Sequence, residues 1–137
     1  MKSDLDRLSR DALIQYRLQR AKDTLSESEK IIELGFTNSS VNRLYYACYY
    51  AIVALLISEG IQTHTHVGTK QMFSLHFIRN NRISKESGRF YSQLFNERIT
   101  GDYDDFISYD LQTVNELFEK SKKLIKEIET FLTDNCP

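Results

Sequence analysis

The sequence predicts an all-α fold, an up-and-down four-helix bundle with one additional short helix. Apolar residues recur in steps of three and four along several long segments, and no segment alternates with period two over the length of a strand. The only proline is Pro137, so no proline breaks a helix inside the chain. Short connections between long helices favour antiparallel neighbours. We expect residues 1–137 to form a single domain, which is long enough to bury a core without disulfides.

The first predicted helix runs from Asp4 to Leu34. Its apolar and small residues follow each other in steps of four and three, which is typical of a seam against a neighbouring helix: Ile14, Leu18, Ala21, Leu25, Ser28 and Ile32. The small residues at positions 21 and 28 would let that neighbour approach closely. Gly35 follows as a candidate C-cap, and the tract FTNSS supplies turn and N-cap residues for the next helix.

The second predicted helix, residues 40–60, is the most apolar part of the chain. Apolar residues cover much of its circumference, and four tyrosines stand in two adjacent pairs, Tyr45–Tyr46 and Tyr49–Tyr50. A helix of this kind needs partners on several sides, so we place it at the centre of the bundle. Its tyrosines are interpreted as core and rim, with a subunit interface as the alternative for any surplus aromatic face.

The third predicted helix, His66–Asn80, is shorter and less regular, and it would close one end of the bundle. Ser84 is a candidate N-cap for the fourth helix, in which Gly88 is tolerable if another backbone approaches closely. Gly101 is a candidate C-cap of that helix, and residues 102–110 would form an acidic loop with aromatic residues. The last helix, about Asp110–Thr133, places Leu111 and five later apolar positions on one side.

The composition limits which classes of function are possible. The chain carries 18 Lys and Arg and 19 Asp and Glu residues, a net charge of −1, so contact with a nucleic acid would depend on a local basic patch. The N-terminus is charged, and the longest nearly unbroken apolar run, 47–57, is shorter than the roughly 20 residues that span a membrane. Cys48 and Cys136 have no metal-ligand spacing. We therefore expect a cytoplasmic protein that does not enter a membrane.

Arg98 is the first candidate for a functional residue. In the fourth helix the core stripe follows steps of four and three through Ile83, Ser87, Phe90 and Leu94. Arg98 lies one turn beyond Leu94, so its guanidinium group should stand at the end of this stripe. One interpretation is structural: an ion pair with Asp102, or a buried stem with an exposed head group. The other is functional, an anion site built on a fixed and permanently charged fork.

Other candidate groups carry less information. His64, His66 and His76 lack metal-ligand spacing, so we predict no metal site and no bound cofactor. Phosphate-loop, dinucleotide-binding and nucleophile-elbow motifs are missing from the sequence. The lysines of the last helix alternate with glutamates, which predicts a solvated, ion-paired face: Lys120, Lys122, Lys123 and Lys126.

Three segments taken in order resemble the HEPN domain family, in particular its small free-standing prokaryotic members. They are NRLYYACYYAIVALLISEG, then THVG, then FNERITGDYDDF, and the similarity covers roughly residues 10–133. The resemblance implies an all-α bundle that commonly forms homodimers. Many family members are metal-independent ribonucleases, often toxins of toxin–antitoxin pairs whose partner is a minimal nucleotidyltransferase.

The resemblance also implies roles for single residues. The catalytic arginine of the family's nucleases corresponds to Arg98, and in the subgroup with Arg-x4-His-x-Tyr spacing the histidine position falls on Tyr103 and the tyrosine position on Asp105. Arg98 and Tyr103 are thus the candidate catalytic residues. The candidate binding residues lie in the same three segments: Asn42, Arg43, Tyr46, His66 and Asp102.

No histidine follows Arg98, and this departure bears on activity. Cleavage through the ribose 2′-hydroxyl needs a proton acceptor near neutral pH, where histidine titrates, whereas tyrosine has a pKa of about 10. Our leading hypothesis is therefore a degenerate member that binds RNA or a nucleotide, as part of a pair with a nucleotidyltransferase. The alternative is an active endoribonuclease toxin that uses Arg98 with Tyr103 or His66. A third possibility is a bundle that only nucleates a larger assembly.

Overall fold

The computed structural model describes residues 4–103 and 108–135, and the side chains of residues 6–99 and 108–135. The predicted all-α class is confirmed, since the described residues contain helices and no strand. Four long helices and a short third one follow each other along the chain: α1 (Asp4–Glu33), α2 (Thr37–Ser58), α3 (His66–Phe73), α4 (Lys85–Tyr103) and α5 (Leu111–Asp134).

Helix α2 is the centre of the bundle, because it packs against α1, α3, α4 and α5. Its apolar residues face these neighbours, and Leu44, Ile52 and Leu55 are completely buried. By length and composition α2 could cross a membrane, but 61% of its most apolar window is buried inside the protein, as in the core helix of a soluble domain. Burial raises the pKa of the Cys48 thiol to about 12, so this cysteine is an inert core residue at neutral pH.

The predicted seam of α1 is mostly confirmed. Ala21 and Ser28 are completely buried, which fits the close approach expected at these small residues. Leu25 is only partly buried, and Thr24 takes the fully buried place beside it. Helical rotation of 100° per residue lets either neighbour face the core, and packing against α2 decides between them.

Two of the three predicted glycine caps are confirmed. Gly35 has a φ of 86° and Gly60 a φ of 73°, values that other residues rarely adopt. The prediction for Gly101 is wrong, because α4 continues through it to Tyr103. A glycine inside a helix lowers its stability by only about 1 kcal/mol relative to alanine. A glycine therefore ends a helix only where the chain must also turn. The predicted loop is therefore wrong for residues 102 and 103, which are helical.

The predicted irregularity of the third helix is a change of helix type. A π-helical turn, Ser74–Ile78, continues α3, and the backbone N–H of Arg79 donates to the carbonyl of Ser74, five residues back. Asn81, with a φ of 61°, then reverses the chain towards α4.

Helix α4 begins after Ser84, whose hydroxyl accepts from the N–H of Ser87 at 3.2 Å as predicted for an N-cap. The expected close neighbour of Gly88 is a side chain rather than a backbone. A Cβ atom built on Gly88 would lie 2.8 Å from Cγ2 of Ile78, so the glycine lets the π-helical turn pack against α4.

Helix α5 begins after Asp110, whose carboxylate accepts from the N–H of Thr113 at 2.7 Å. Leu111 is 53% exposed, contrary to the prediction that it lies on the core side. The core positions of α5 start at Val114. On its outer face Lys123 lies 3.6 Å from Glu86 and Lys126 lies 3.5 Å from Glu129, which confirms the ion-paired face for these two lysines.

Candidate functional site

Arg98 is half-buried and covers two tyrosine rings of α2. Its Cζ atom lies 5.1 Å from the ring centroid of Tyr45 and 5.5 Å from that of Tyr46, and its Nη2 atom donates to the Tyr46 hydroxyl at 3.2 Å. A guanidinium over aromatic faces is attracted by the ring quadrupoles, and the hydrogen bond fixes its orientation. The side chain is thus a positioned cation at the end of the core.

The imidazole of His66 lies against the same tyrosine rings as Arg98. His66 is the first residue of α3, and its ring centroid lies 5.6 Å from that of Tyr45, 5.7 Å from that of Tyr46 and 4.6 Å from that of Tyr49. Arg98 and His66, 32 positions apart in the chain, therefore share a platform of tyrosines on α2. We call these five residues the aromatic cluster: Tyr45, Tyr46, Tyr49, His66 and Arg98.

The segment THVG places His66 in this cluster. The hydroxyl of Thr65 accepts from the N–H of Gly68 at 2.8 Å and thereby caps α3. A Cβ atom on residue 68 would lie 2.8 Å from that same oxygen, so the tight cap requires glycine there. Threonine and glycine fix the start of α3, and His66 lies between them.

A chain of hydrogen bonds leads from the core to His66. The buried hydroxyl of Tyr91, on α4, donates to that of Tyr45 at 3.3 Å, and the Tyr45 oxygen lies 2.8 Å from Nδ1 of His66. Burial raises the pKa of Tyr45 to about 12 and holds the pKa of Tyr91 well above 10. Both phenols are therefore protonated at neutral pH.

The imidazole of His66 is neutral in this setting. Burial lowers its pKa below 6.5, and the positive charge of Arg98 lowers the pKa further. The hydrogen bond with the Tyr45 hydroxyl engages Nδ1 of His66, and the tautomer of the imidazole decides which of the two atoms donates. The cluster thus offers a fixed cation and a neutral imidazole beside half-exposed aromatic faces.

The other predicted residues fall into three groups. Asn42 is half-buried and lies one turn before Tyr46 on the same face of α2. Arg43 instead pairs with Glu27 of α1, which ties it to that helix rather than to the cluster. The side chains of Asp102 and Tyr103, and all of Asp105, lie outside the described residues, so their roles stay predictions.

Sequence reasoning missed Tyr45, Tyr91 and Phe95 as parts of the site. The ring of Tyr91 stacks on that of Tyr45 at 5.8 Å, and the ring of Phe95 meets Tyr45 edge-on at 6.0 Å. Tyr91, Phe95 and Arg98 follow each other in steps of four and three, a helical stripe that could have revealed them. Within the described ranges, no three His, Cys, Asp or Glu residues are grouped so that they could hold a metal ion.

Comparison with known proteins gives one family. The model of the HEPN domain matches residues 14–131, which contain the whole aromatic cluster.

Relatives of similar length extend this match. A UPF0332 protein of Thermotoga maritima is 30% identical over 125 residues, which cover 91% of this chain and 95% of the relative. Two proteins of Methanocaldococcus jannaschii, each named "putative toxin", are both 28% identical over 115 and 119 residues. These alignments cover 84% and 87% of this chain, and 78% and 83% of the two relatives.

Proposed function

Because this chain belongs to the HEPN domain family, we propose that it binds RNA or a nucleotide through the aromatic cluster and does not cleave the bound molecule. One observation carries the proposal: the Arg98 guanidinium is held over the rings of Tyr45 and Tyr46, and His66 lies against the same rings.

The chemistry of the cluster suits such a ligand. Arg98 supplies a permanent charge and planar donors for a phosphate group, and the imidazole of His66 adds an uncharged polar group. The half-buried rings of Tyr46 and Tyr49 offer aromatic faces for a base. A phosphate and its base could thus be bound side by side, without a metal ion.

The hydrogen bonding of His66 argues against cleavage. Its Nδ1 is already engaged by the Tyr45 hydroxyl, so a proton relay through this nitrogen would involve a phenol whose pKa is about 12. At the position of the missing histidine, Tyr103 would need a pKa shift of about 3 units, or roughly 4 kcal/mol, to act near pH 7.

The wider setting of the proposal is a toxin–antitoxin-like pair in the cytoplasm. The toxin names of the two Methanocaldococcus jannaschii relatives support this setting. Within it, the protein would be a homodimer with a minimal nucleotidyltransferase as its partner, and Arg98 and Tyr103 would line a polar pocket between the protomers. The half-exposed tyrosines 46, 49 and 50 are the kind of surface that is enriched at such interfaces.

The test measures binding and cleavage together in EDTA. We expect the wild-type protein to bind a fluorescent 12-nucleotide RNA of mixed sequence, and AMP in competition, and to leave the RNA intact. Arg98→Ala should lower the affinity at least tenfold, because the phosphate loses a charged partner. Lys122→Ala, at an exposed position of α5, is the matched control and should change little. Loss of thermal stability alone in Arg98→Ala, with binding unchanged, would contradict the proposal.

A second candidate function is a metal-independent endoribonuclease that uses Arg98 with His66. It is favoured by the proximity of His66 to the rings that hold Arg98, although the two residues are far apart in sequence. It predicts EDTA-resistant cleavage and growth arrest on expression, both lost in Arg98→Ala and in His66→Gln. Loss in Tyr103→Phe alone would assign the base to Tyr103.

A further inference from the structure

The chain contains a long segment without carboxylates. Residues 60–85 include no Asp or Glu, and they carry four Lys and Arg residues and all three histidines. The whole chain has a net charge of −1, so positive charge is concentrated in this segment. It forms α3, the π-helical turn and the start of α4.

A groove of about 530 Å³ lies between this segment and α4. Four cationic side chains line it: Lys70, Arg79, Lys85 and Arg89. Among the described residues of its lining there is no Asp or Glu, and exposed Val67 gives it apolar surface, with the almost buried rings of Phe73 and Phe95 beneath. We call it the α3–α4 groove. A groove with one sign of charge and apolar walls raises the local concentration of a polyanion.

The groove lies next to the aromatic cluster, to which Lys70 and Phe95 connect it. Lys70 lies one turn after His66 on α3, and its Nζ atom is 4.8 Å from the ring centroid of Phe95. The Phe95 ring is in edge contact with Tyr45, over which Arg98 lies. A ligand held by Arg98 and His66 could therefore continue along α3 into the groove, whose described lining residues include no Asp or Glu.

The cations of the groove are available to a ligand. Arg79, Lys85 and Arg89 are exposed. Lys85 donates to the carbonyl of Ile78 at 2.7 Å, which fixes its ammonium group at the groove and leaves further N–H donors. The neighbouring acid on α4, Glu86, lies 3.6 Å from Lys123, so its charge is offset from the other side.

From these observations we propose that the α3–α4 groove carries the phosphate backbone of single-stranded RNA away from the aromatic cluster. The inference rests on the proposed function and deepens it: the ligand is an oligonucleotide rather than a mononucleotide. The helical path from His66 to Arg79 is about 20 Å long, enough for several nucleotides. Cations that follow the backbone, together with the half-exposed rings of Tyr46 and Tyr49 at one end for unpaired bases, are typical of single-strand binding.

The experiment varies ligand length and salt. Fluorescence anisotropy measures the affinity of the wild-type protein for AMP and for RNAs of 2, 4, 8 and 12 nucleotides at several salt concentrations. We expect the affinity to rise with length until the groove is filled. The double variant Arg79→Gln/Arg89→Gln should bind the 12-nucleotide RNA at least tenfold more weakly. Its slope of log affinity against log salt should be smaller by about 0.7 for each lost phosphate contact.

Two comparisons make the result decisive. The matched control Lys30→Gln/Lys122→Gln removes two charges from exposed positions on α1 and α5, outside the groove, and should bind like the wild type. AMP should bind the groove variant as it binds the wild type, because the aromatic cluster is intact. If both double variants lose RNA affinity equally, or neither does, the groove is not the path, while binding through Arg98 stands. If the wild type binds neither AMP nor RNA, the proposed function itself fails.

Discussion

The hydroxyl oxygen of Tyr45 lies 2.8 Å from Nδ1 of His66, and this hydrogen bond joins the central helix α2 to the first residue of α3. Tyr45 is completely buried and also contacts Tyr91 of α4. One phenol therefore connects three helices and helps to position the imidazole beside Arg98. The stability of the bundle and the chemistry of the cluster depend on the same side chain.

Removal of this hydroxyl tests the connection. Tyr45→Phe leaves Nδ1 of His66 and the hydroxyl of Tyr91 without their shared partner. We expect the free energy of unfolding to fall by about 1–3 kcal/mol, the usual cost of an unsatisfied buried polar group. The measurement is urea unfolding followed by circular dichroism. Tyr16→Phe, at a position that is 58% exposed, is the control and should stay within about 0.5 kcal/mol of the wild type. Equal effects of the two substitutions would contradict the role of Tyr45.

A second prediction concerns the pKa of His66. Burial and the charge of Arg98 both lower it, so the imidazole should titrate below 6.5 in NMR spectra of the folded protein. In Arg98→Gln the pKa should rise but stay below 6.5, because burial remains. Arg89→Gln, which removes an exposed charge nine residues before Arg98 on the same helix, is the control and should leave the pKa unchanged. A wild-type value at or above 6.5 would contradict the described surroundings of His66.

The lowered pKa of His66 has a consequence for stability. His66 is protonated around pH 6.5 in the unfolded chain, but only at a lower pH in the folded chain. The contribution of His66 to stability is therefore complete above pH 6.5 and is lost as the pH falls towards the folded-state pKa. His66→Gln should flatten the dependence of the unfolding free energy on pH in this window.

The helices could be predicted because their signals are local. Apolar steps of three and four fix which face of α1 or α4 packs inwards, and Gly35 and Gly60 end helices through their positive φ. Leu111 and Gly101 show the limit of such patterns. Each fits the local rule, yet the core side of α5 starts at Val114 and α4 extends beyond its glycine, because packing rather than periodicity decides the ends.

The site could be predicted only in part, because it depends on contacts between distant residues. The end of the core stripe indicated the place of Arg98, but the approach of His66 depends on how α3 folds back over α2. Arg43 shows the opposite case. It belongs to the same segment as Asn42 and Tyr46, but it lies one residue, or 100° of helical rotation, beyond Asn42, and it reaches Glu27 on α1 instead.

A third prediction tests how α3 and α4 form the groove. Gly88→Ala would bring a Cβ atom to 2.8 Å from Cγ2 of Ile78, and we expect a destabilisation of about 1–3 kcal/mol from overpacking. Ile78→Ala removes the atoms that clash, so the double variant should be more stable than the sum of the single effects predicts. Urea unfolding of all four proteins measures this coupling. Strict additivity would show that the two residues do not meet.

The last prediction concerns Glu127 of α5, which holds the start of α4. Its carboxylate accepts three hydrogen bonds: from the N–H of Ser84 at 2.8 Å, from the Ser84 hydroxyl at 3.0 Å and from the Ser87 hydroxyl at 2.6 Å. A negative charge at a helix N-terminus also interacts favourably with the helix dipole.

Glu127→Gln keeps one acceptor oxygen, but it removes the charge and replaces the other oxygen by an amide group that cannot accept. We expect the free energy of unfolding to fall by about 1–2 kcal/mol, because bonds to charged acceptors are the stronger ones. Glu119→Gln, at an exposed position two turns earlier on α5, is the control for the loss of one charge. Since Glu127 lies on α5 and the serines precede or begin α4, hydrogen exchange should also become faster in the first turn of α4. Unchanged exchange there would show that the serines cap the helix without Glu127.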